Sequence, residues 1–508
     1  MNGAAAAKDL NLLLITADQL RADVVFGRLG EAVELPNLAR LKARGVSFEN
    51  HVTVTAPCGP ARASLLTGLY ASNHGSVRNG TPLRRGTDNL ALQLRRAGRE
   101  PLLFGYTDAT PDPEGLDPAD PDLTSYEQVL PGFREIVEMR FEAPMTWLAA
   151  LGRRGYALPR PLPERAFELM MPAAEAGRAP RIDDPAMYRA EDSDTAFLTD
   201  AFLAHMDVRR DHPWTAHLTW IRPHPPLVAP APYNRLVAPG DVPARAGALA
   251  DHAFTRAWFS ERASFGLWMG FDGDCEGLPE ADIAALRAVY LGLVAEVDAH
   301  LGRILDWLEE TGQAERTVIV FTSDHGEMLG DGRMWGKHSV FDPAFRIPLI
   351  VVDPRREGSA GRRVTAPTES VDVAPTLLAL AGRAAPAPWD GAALTPWLDG
   401  ETPQGWRDAQ LMQIDFAEPH APTRFQRAWG EDACGCAAAI LREGRWKLVV
   451  FSGGPPPMLF DLEADPGETR DRAGDPAAAA ELARMAAKLA ARQARQGGRG
   501  TAHLAIGV

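Results

Sequence analysis

The chain has 508 residues, 45% hydrophobic and 24% charged, a balance that excludes disordered and fibrous proteins and supplies enough core for one large domain and a smaller one. Its formal net charge of −14 comes without any long basic block, which excludes bulk nucleic-acid binding and leaves a small anion needing a local positive site. Four cysteines over this length form no disulfide lattice, so a reduced, cytoplasmic setting is expected.

In chain order, the first element is Leu10 to Ala17, a nearly continuous apolar run ending at Asp18. It lacks a basic leader and is too short for a membrane span, so neither a signal peptide nor a membrane protein is expected. It reads as a strand buried on both faces of a parallel sheet. Next comes "TAPCGPARASLLTG", residues 55 to 68. Pro60 suits a first helical turn, Leu65, Leu66 and Leu69 give a buried face, and Cys58 falls just before the N-terminus, where backbone N–H groups favour an anion. Arg62, in the first turn, adds a planar fork for oxyanion oxygens. From the residues alone Cys58 is a small buried hydrophobe or a poised thiolate.

Further strands are expected at Pro101 to Phe104, Ala216 to Trp220 and Pro348 to Val352, and a helix at Asp372 to Ala381. Residues 108–190, rich in Pro, Asp and Arg, read as an irregular insertion near the site. Apolar residues three or four apart from Ile283 to Leu308, closed by Gly312, predict a long amphipathic helix, and "TVIVFTS" after it repeats the buried-strand pattern and stops at Asp324 and His325. The expected fold is α/β, a doubly wound, mostly parallel sheet flanked by helices over residues 1–400. A smaller C-terminal α+β subdomain, 401–508, ends in an Ala-rich helical tail.

Ligands collect outside the carboxyl ends of strands in such sheets. Asp18 and Gln19 after one strand, with Asp324 and His325 after another, supply two carboxylates, an amide oxygen and an imidazole. That mostly oxygen set suits one Ca²⁺, Mg²⁺ or Mn²⁺ ion, although either pair alone is an ordinary cap or turn.

The spacing Cys58-Gly59-Pro60-Ala61-Arg62, followed by "LTG", resembles the C-x-P-x-R signature of the type I sulfatases of the alkaline phosphatase superfamily. "ITADQLRAD", "RPHPPL", "FTSDHGEMLGD", "WGKHSVFDPAFRIPLIV" and "LFDLEADPGET" resemble that family's blocks in order, across nearly the whole chain. Asp18-Gln19, "SVRNGTPL", "GYTD" and "RPHPP" are most similar to the phosphonate monoester hydrolase and arylsulfatase branch.

The resemblance implies an alkaline phosphatase-like fold and conversion of Cys58 to formylglycine by a maturation enzyme. It implies that Asp18, Gln19, Asp324, His325 and modified Cys58 hold one divalent metal ion, calcium or manganese. The substrate is then a small anionic ester, a sulfate monoester, phosphonate monoester or phosphodiester. Arg62 holds the diol and the helix start. Lys337, one of only five lysines among 53 basic residues, meets a nonbridging or leaving-group oxygen. His224, between prolines in a rigid extended segment, is a general acid or oxyanion donor, and Asn79 and Tyr106 touch the substrate. His338 assists or faces solvent. Asp108 departs from the threonine of the phosphonate hydrolases, and its carboxylate repels an anion unless paired. Because such tails build oligomers in the phosphonate hydrolase branch, the resemblance implies a homo-oligomer, tetramer or dimer, its alternative being a helix folded onto its own subunit. The rival function is a phosphatase or phosphodiesterase of the same superfamily with an unmodified nucleophile.

Overall fold

In the computed structural model, which describes residues 9–158, 178–268 and 270–496, eight strands form a central sheet. From edge to edge they are Arg362–Val364, Val46–Phe48, Leu349–Val352, Thr317–Thr322, Asn11–Ala17, Thr215–Trp220, Pro101–Gly105 and Arg134–Glu138. All run parallel except Leu349–Val352, antiparallel to both neighbours. The central strand shows why its sequence is apolar throughout. Leu13, Ile15 and Ala17 pack into the core shared with the Glu280–Glu310 helix, while Leu12 and Leu14 enter the core shared with the Cys58–Thr67 and Val373–Leu380 helices. Successive side chains point to opposite faces, and helices cover both.

Pairing of Asn11–Ala17 with Thr317–Thr322 runs in register from Asn11 opposite Thr317 to Thr16 opposite Thr322. Continued two residues, this register sets Asp18 beside Asp324. The long helix closes as its pattern predicts, with Gly312 in the left-handed region (φ 66°).

The insertion holds more regular structure than its composition suggests. Arg134–Glu138 is the edge strand of the central sheet and Met145–Arg153 is a helix. The strand is exposed at both ends and carries Arg and Glu, so it lacks the apolar run that marks the inner strands. Residues 159–177 of the insertion and 497–508 of the tail lie outside the described residues.

A second sheet orders Met458–Asp461, Trp446–Phe451, Ala437–Glu443 and Gln410–Asp415 antiparallel, then adds Thr55–Ala56 in parallel. The two residues that lead into the Cys58 helix thus belong to the C-terminal sheet. Through Gln496 the Ala-rich helix folds back on its own chain. Met485 and Leu489 are buried, Lys488 reaches Asp408 at 2.6 Å, and Arg492 donates to the Tyr70 hydroxyl at 2.8 Å and to Glu369 at 3.0 Å. Among the described residues no helix is long and apolar enough to cross a membrane.

Candidate active site

Three chain segments converge at the carboxyl end of the central strands. The first is the turn after Asn11–Ala17. Gln19 takes a left-handed conformation (φ 66°) unusual for a side chain larger than Asn, and this turns its N–H back to Asp324 Oδ1 at 3.1 Å. The Tyr290 hydroxyl of the long helix holds the turn, donating to the Gln19 carbonyl at 2.8 Å. Ser323 Oγ accepts from Leu20 N–H at 2.9 Å.

The second segment is the Cys58–Thr67 helix, buried along its whole length. Pro57 is its N-cap, so Cys58 is the first helical residue rather than the one before it. Asn79 Oδ1 accepts from Gly59 N–H at 2.9 Å, satisfying one of the free donors of the first turn. Gly59 permits this approach, because a Cβ there would stand 3.1 Å from Asn79 Oδ1 and 3.2 Å from the Asp108 carbonyl oxygen. Asn79, expected to touch substrate, therefore caps the Cys58 helix with its carbonyl oxygen.

Arg62, one helical turn after Cys58, falls on the same face. It is 1% exposed, and its donors are taken inside the protein. Nε meets Asp324 Oδ2 at 3.0 Å, Nη2 meets Asp18 Oδ2 and the Tyr106 hydroxyl at 3.0 Å each, and Nη1 meets Thr219 Oγ1 at 2.7 Å. Tyr106 lies under the guanidinium, 4.1 Å from ring centroid to Cζ, and donates to Asp18 Oδ2 at 2.5 Å. Arg62 is thus a clamp between two carboxylates rather than a fork opened toward an oxyanion, and Tyr106 acts on Asp18. The reason is charge: three buried carboxyl groups surround the guanidinium, Asp108 Oδ2 at 3.4 Å being the third.

The third segment begins at Asp324 and His325. His325 Nδ1 lies 3.0 Å from the Gly326 carbonyl, which can only accept, so Nδ1 carries the proton and Nε2 presents its lone pair to Cys58 Sγ at 3.1 Å. One ligand atom each from Asp18, Cys58, Asp324 and His325 lie within 4.8 Å of one another, all buried. Asp18 Oδ1 has no hydrogen-bond partner there. A buried carboxylate oxygen left open beside a second carboxylate and an imidazole lone pair fits a divalent cation. Burial raises the Asp18 pKa, but His224, Arg62, His325 and Lys337 override it and hold the carboxyl below its usual range. Burial lowers that of His325.

Gln19, expected in the metal shell, points its side chain elsewhere. Its Nε2 donates to Glu327 Oε2 and its Oε1 accepts from Lys337 Nζ at 2.8 Å. Glu327, 1% exposed, also accepts from Leu329 N–H at 2.9 Å and from Gly336 N–H. It fixes which end of the Gln19 amide faces Lys337. The sequence reading missed Glu327, although it stands three residues after Asp324 in the same block.

Lys337 also lies 2.9 Å from His224 Nε2. His224 Nδ1 is 2.6 Å from the Pro225 carbonyl and must donate to it, leaving Nε2 as acceptor for the ammonium. Burial and the Lys337 charge push His224 down to about 3. Burial opposes the charge of Lys337, yet Cys58, Asp18 and Asp324 raise its pKa above the ordinary lysine value. The proton sits on Lys337, not on the histidine expected to be the acid. Nor is the His224 segment extended, since His224 N–H bonds to the Ile221 carbonyl at 3.0 Å in a turn. Fully buried Arg222 staples this turn, donating to the carbonyls of His224 and Pro226 at 3.1 Å each. His338 is exposed.

Asp108 is 3% exposed, left-handed (φ 50°), and its Oδ1 lacks a partner. Burial, with Asp18 and Asp324 nearby, outweighs Arg62 and raises its pKa to about 7. Thr107 and the start of the insertion pair with its Gln128, where Thr107 Oγ1 donates to the Gln128 carbonyl and Ala109 N–H to the same oxygen, both at 3.0 Å. This pairing brings Tyr126 within electrostatic reach of Asp108 and Cys58. Thr219 and Tyr126 stand outside every quoted motif, whereas Arg222 and Glu327 lie inside the "RPHPPL" and "FTSDHGEMLGD" blocks without being singled out by them.

Residues 10–383 match the sulfatase family, and residues 330–495 match the C-terminal region of N-sulphoglucosamine sulphohydrolase. The chain is 46% identical to a phosphonate monoester hydrolase from Silicibacter pomeroyi, with a TM-score of 0.92 and 98% of each chain covered. It is 40% identical to the phosphonate monoester hydrolase of Agrobacterium radiobacter, with a TM-score of 0.89 and 96% of each covered. It is also 37% identical over 485 residues to a multifunctional alkaline phosphatase superfamily protein of Trinickia caryophylli, 92% of each. Motif order, fold and likeness agree, and the chain belongs to the sulfatase family of the alkaline phosphatase superfamily, as a hydrolase of sulfuric or phosphonate esters.

Proposed function

We propose that this hydrolase acts on sulfate monoesters and on phosphonate monoesters or phosphodiesters, with Cys58 matured to formylglycine and one divalent ion, calcium or manganese, held by Asp18, Asp324, His325 and residue 58. The observation that carries this reading is the convergence of those four side chains, ligand atoms within 4.8 Å of one another, at the start of a buried helix. Formylglycine, as its hydrate, would supply an attacking hydroxyl and a second hydroxyl that releases the anion when the aldehyde re-forms. The metal would supply polarisation of that nucleophile and charge for the transferred group.

The remaining work falls to the chain's own groups. Arg62 and Tyr106 keep Asp18 aimed, and Arg62 does the same for Asp324. Glu327 orients Gln19, which with His224 positions the Lys337 ammonium. Lys337 carries the proton suited to a departing alkoxide or phenoxide, and its charge favours the anionic transition state. His224 receives a hydrogen bond from Lys337 and aligns it. We also infer a cytoplasmic setting, which cell fractionation tests, and a homo-oligomer, which sedimentation analysis tests and whose contacts lie outside the tail face that packs on its own subunit.

Intact mass and metal analysis test the central reading on one preparation. Maturation replaces the SH₂ of the Cys58 side chain by an aldehyde oxygen, so the protein is lighter by that difference, and one bound divalent ion per chain is expected. An unmodified Cys58 in a preparation that turns over aryl sulfate or aryl phosphonate at full rate would overturn it.

A further inference from the structure

A cavity of about 340 Å³ is lined by Arg21 and Ala22, just past Gln19 in the chain, and by none of Asp18, Cys58, His224 or Lys337. Arg21, Arg28, Arg245, Arg287 and Arg346 share its wall with only three acids, Asp23, Asp331 and Asp342. In a chain of net charge −14 this is a local reversal of sign. Ion pairs do not cancel it. Arg21 takes both oxygens of Asp23, at 2.8 and 2.7 Å, and Asp331 Oδ2 at 2.8 Å. Arg287 reaches Asp331 only through Nη1 at 3.3 Å, and its buried Nε has no partner. Asp342 is already committed to Lys447 at 2.9 Å and Arg442 at 3.2 Å. Arg346 Nε is buried without a partner, while Nη2 donates to the Glu49 carbonyl at 3.0 Å. Arg28 is exposed and forms no hydrogen bond or ion pair among the described residues.

Three of the lining residues, Arg28, Arg287 and Arg346, thus carry N–H donors that the protein leaves open. Like charges gathered in one concave wall repel, and more strongly there than in bulk water. Burial, with Arg21 alongside, outweighs Asp331 and holds Arg287 below the ordinary arginine value, and burial, with Arg442 and Arg21 near, does the same to Arg346 against Asp342. A multivalent anion removes that penalty and accepts from the open donors, since guanidinium N–H groups match the oxygens of a tetrahedral oxyanion in pairs. We propose that this cavity is a second anion site, separate from the ester-cleaving centre, that binds a tetrahedral oxyanion, either free phosphate or the phosphate head of an organic molecule. A liquid water takes about 30 Å³, so the cavity has room for more than a bare phosphate ion.

Isothermal titration calorimetry of the full-length protein with inorganic phosphate tests the proposal. Arg28→Ala, at an exposed and unpaired position, should weaken one phosphate site about tenfold, and Arg346→Gln should weaken the same site. Lys337→Ala should leave that site at its wild-type affinity, while any phosphate held at the ester-cleaving centre is lost from this variant alone. Methylphosphonate, which carries a carbon on the anionic head, should bind the Arg28-dependent site as phosphate does; its exclusion there assigns the site to the free anion. The proposal is overturned if Arg28→Ala and Arg346→Gln leave every phosphate affinity within about twofold of wild type, or if Lys337→Ala abolishes all phosphate binding.

Discussion

Lys337 donates to His224 Nε2 across 2.9 Å, and the direction follows from the other ring nitrogen. Because Nδ1 is bound to the Pro225 carbonyl, it carries the only ring proton, and burial beside an ammonium keeps the imidazole neutral. The pair behaves as one oriented cation rather than as a histidine acid with a lysine neighbour.

Lys337→Ala should accordingly lower kcat roughly 10²- to 10³-fold on a substrate with a poor leaving group. His224→Asn should cost less. Since His224 titrates at about 3, the variant should also keep the wild-type shape of the pH–rate profile between pH 5 and 9. A limb near pH 6.5 that vanishes in His224→Asn would show the histidine to be the titrating acid.

Arg62 bridges Asp18 and Asp324 with all three residues almost fully buried. Arg62→Lys removes the planar fork, and Arg62→Ala leaves the carboxylates facing each other. Breaking such a pair costs about 3–5 kcal/mol. Thermal unfolding should show Arg62→Ala well below wild type without added metal. The gap should narrow with excess Ca²⁺ or Mn²⁺, because a bound cation takes over part of the neutralisation.

Asp108 lies 3.4 Å from Arg62, beside the start of the Cys58 helix, with its pKa raised to about 7. Below that pH it is a neutral acid, and above it a negative charge opposes an anionic substrate. Wild-type KM should therefore rise between pH 6 and 8. Asp108→Asn, neutral throughout, should hold KM flat across the same window, and identical profiles in the two proteins would refute this role.

Glu296 sits buried on the long helix near Asp194, and burial followed by the Asp194 charge raises its pKa to about 8. The folded state then binds a proton that the unfolded chain releases near its ordinary value of 4.5. Its contribution to stability is fully present below pH 4.5 and is lost as pH rises toward 8. Glu296→Gln, which mimics the protonated form, should raise Tm more at pH 8 than at pH 5 in a calorimetric comparison.

The sequence alone determined where chemistry could gather. Continuous apolar runs ending at Asp18 and at Asp324 mark inner strands, because only a strand covered on both faces dispenses with alternation, and ligands collect at such ends. The residues place Arg62 in the first turn of a helix and Cys58 at its mouth, one position short of the helix it opens. The partner of each group comes instead from the fold. Arg62 reads as an anion fork until three carboxyl groups converge on it, and Gln19 reads as a metal ligand until Glu327 turns its amide toward Lys337. Thr55–Ala56, two residues long, carries no periodicity, so its membership of the C-terminal sheet appears only once Gln413 and Ile414 lie beside it. Periodicity records which face a residue presents. The hydrogen-bond partner and protonation state of a buried polar group depend on charges brought from hundreds of residues away, and these only the folded chain assembles.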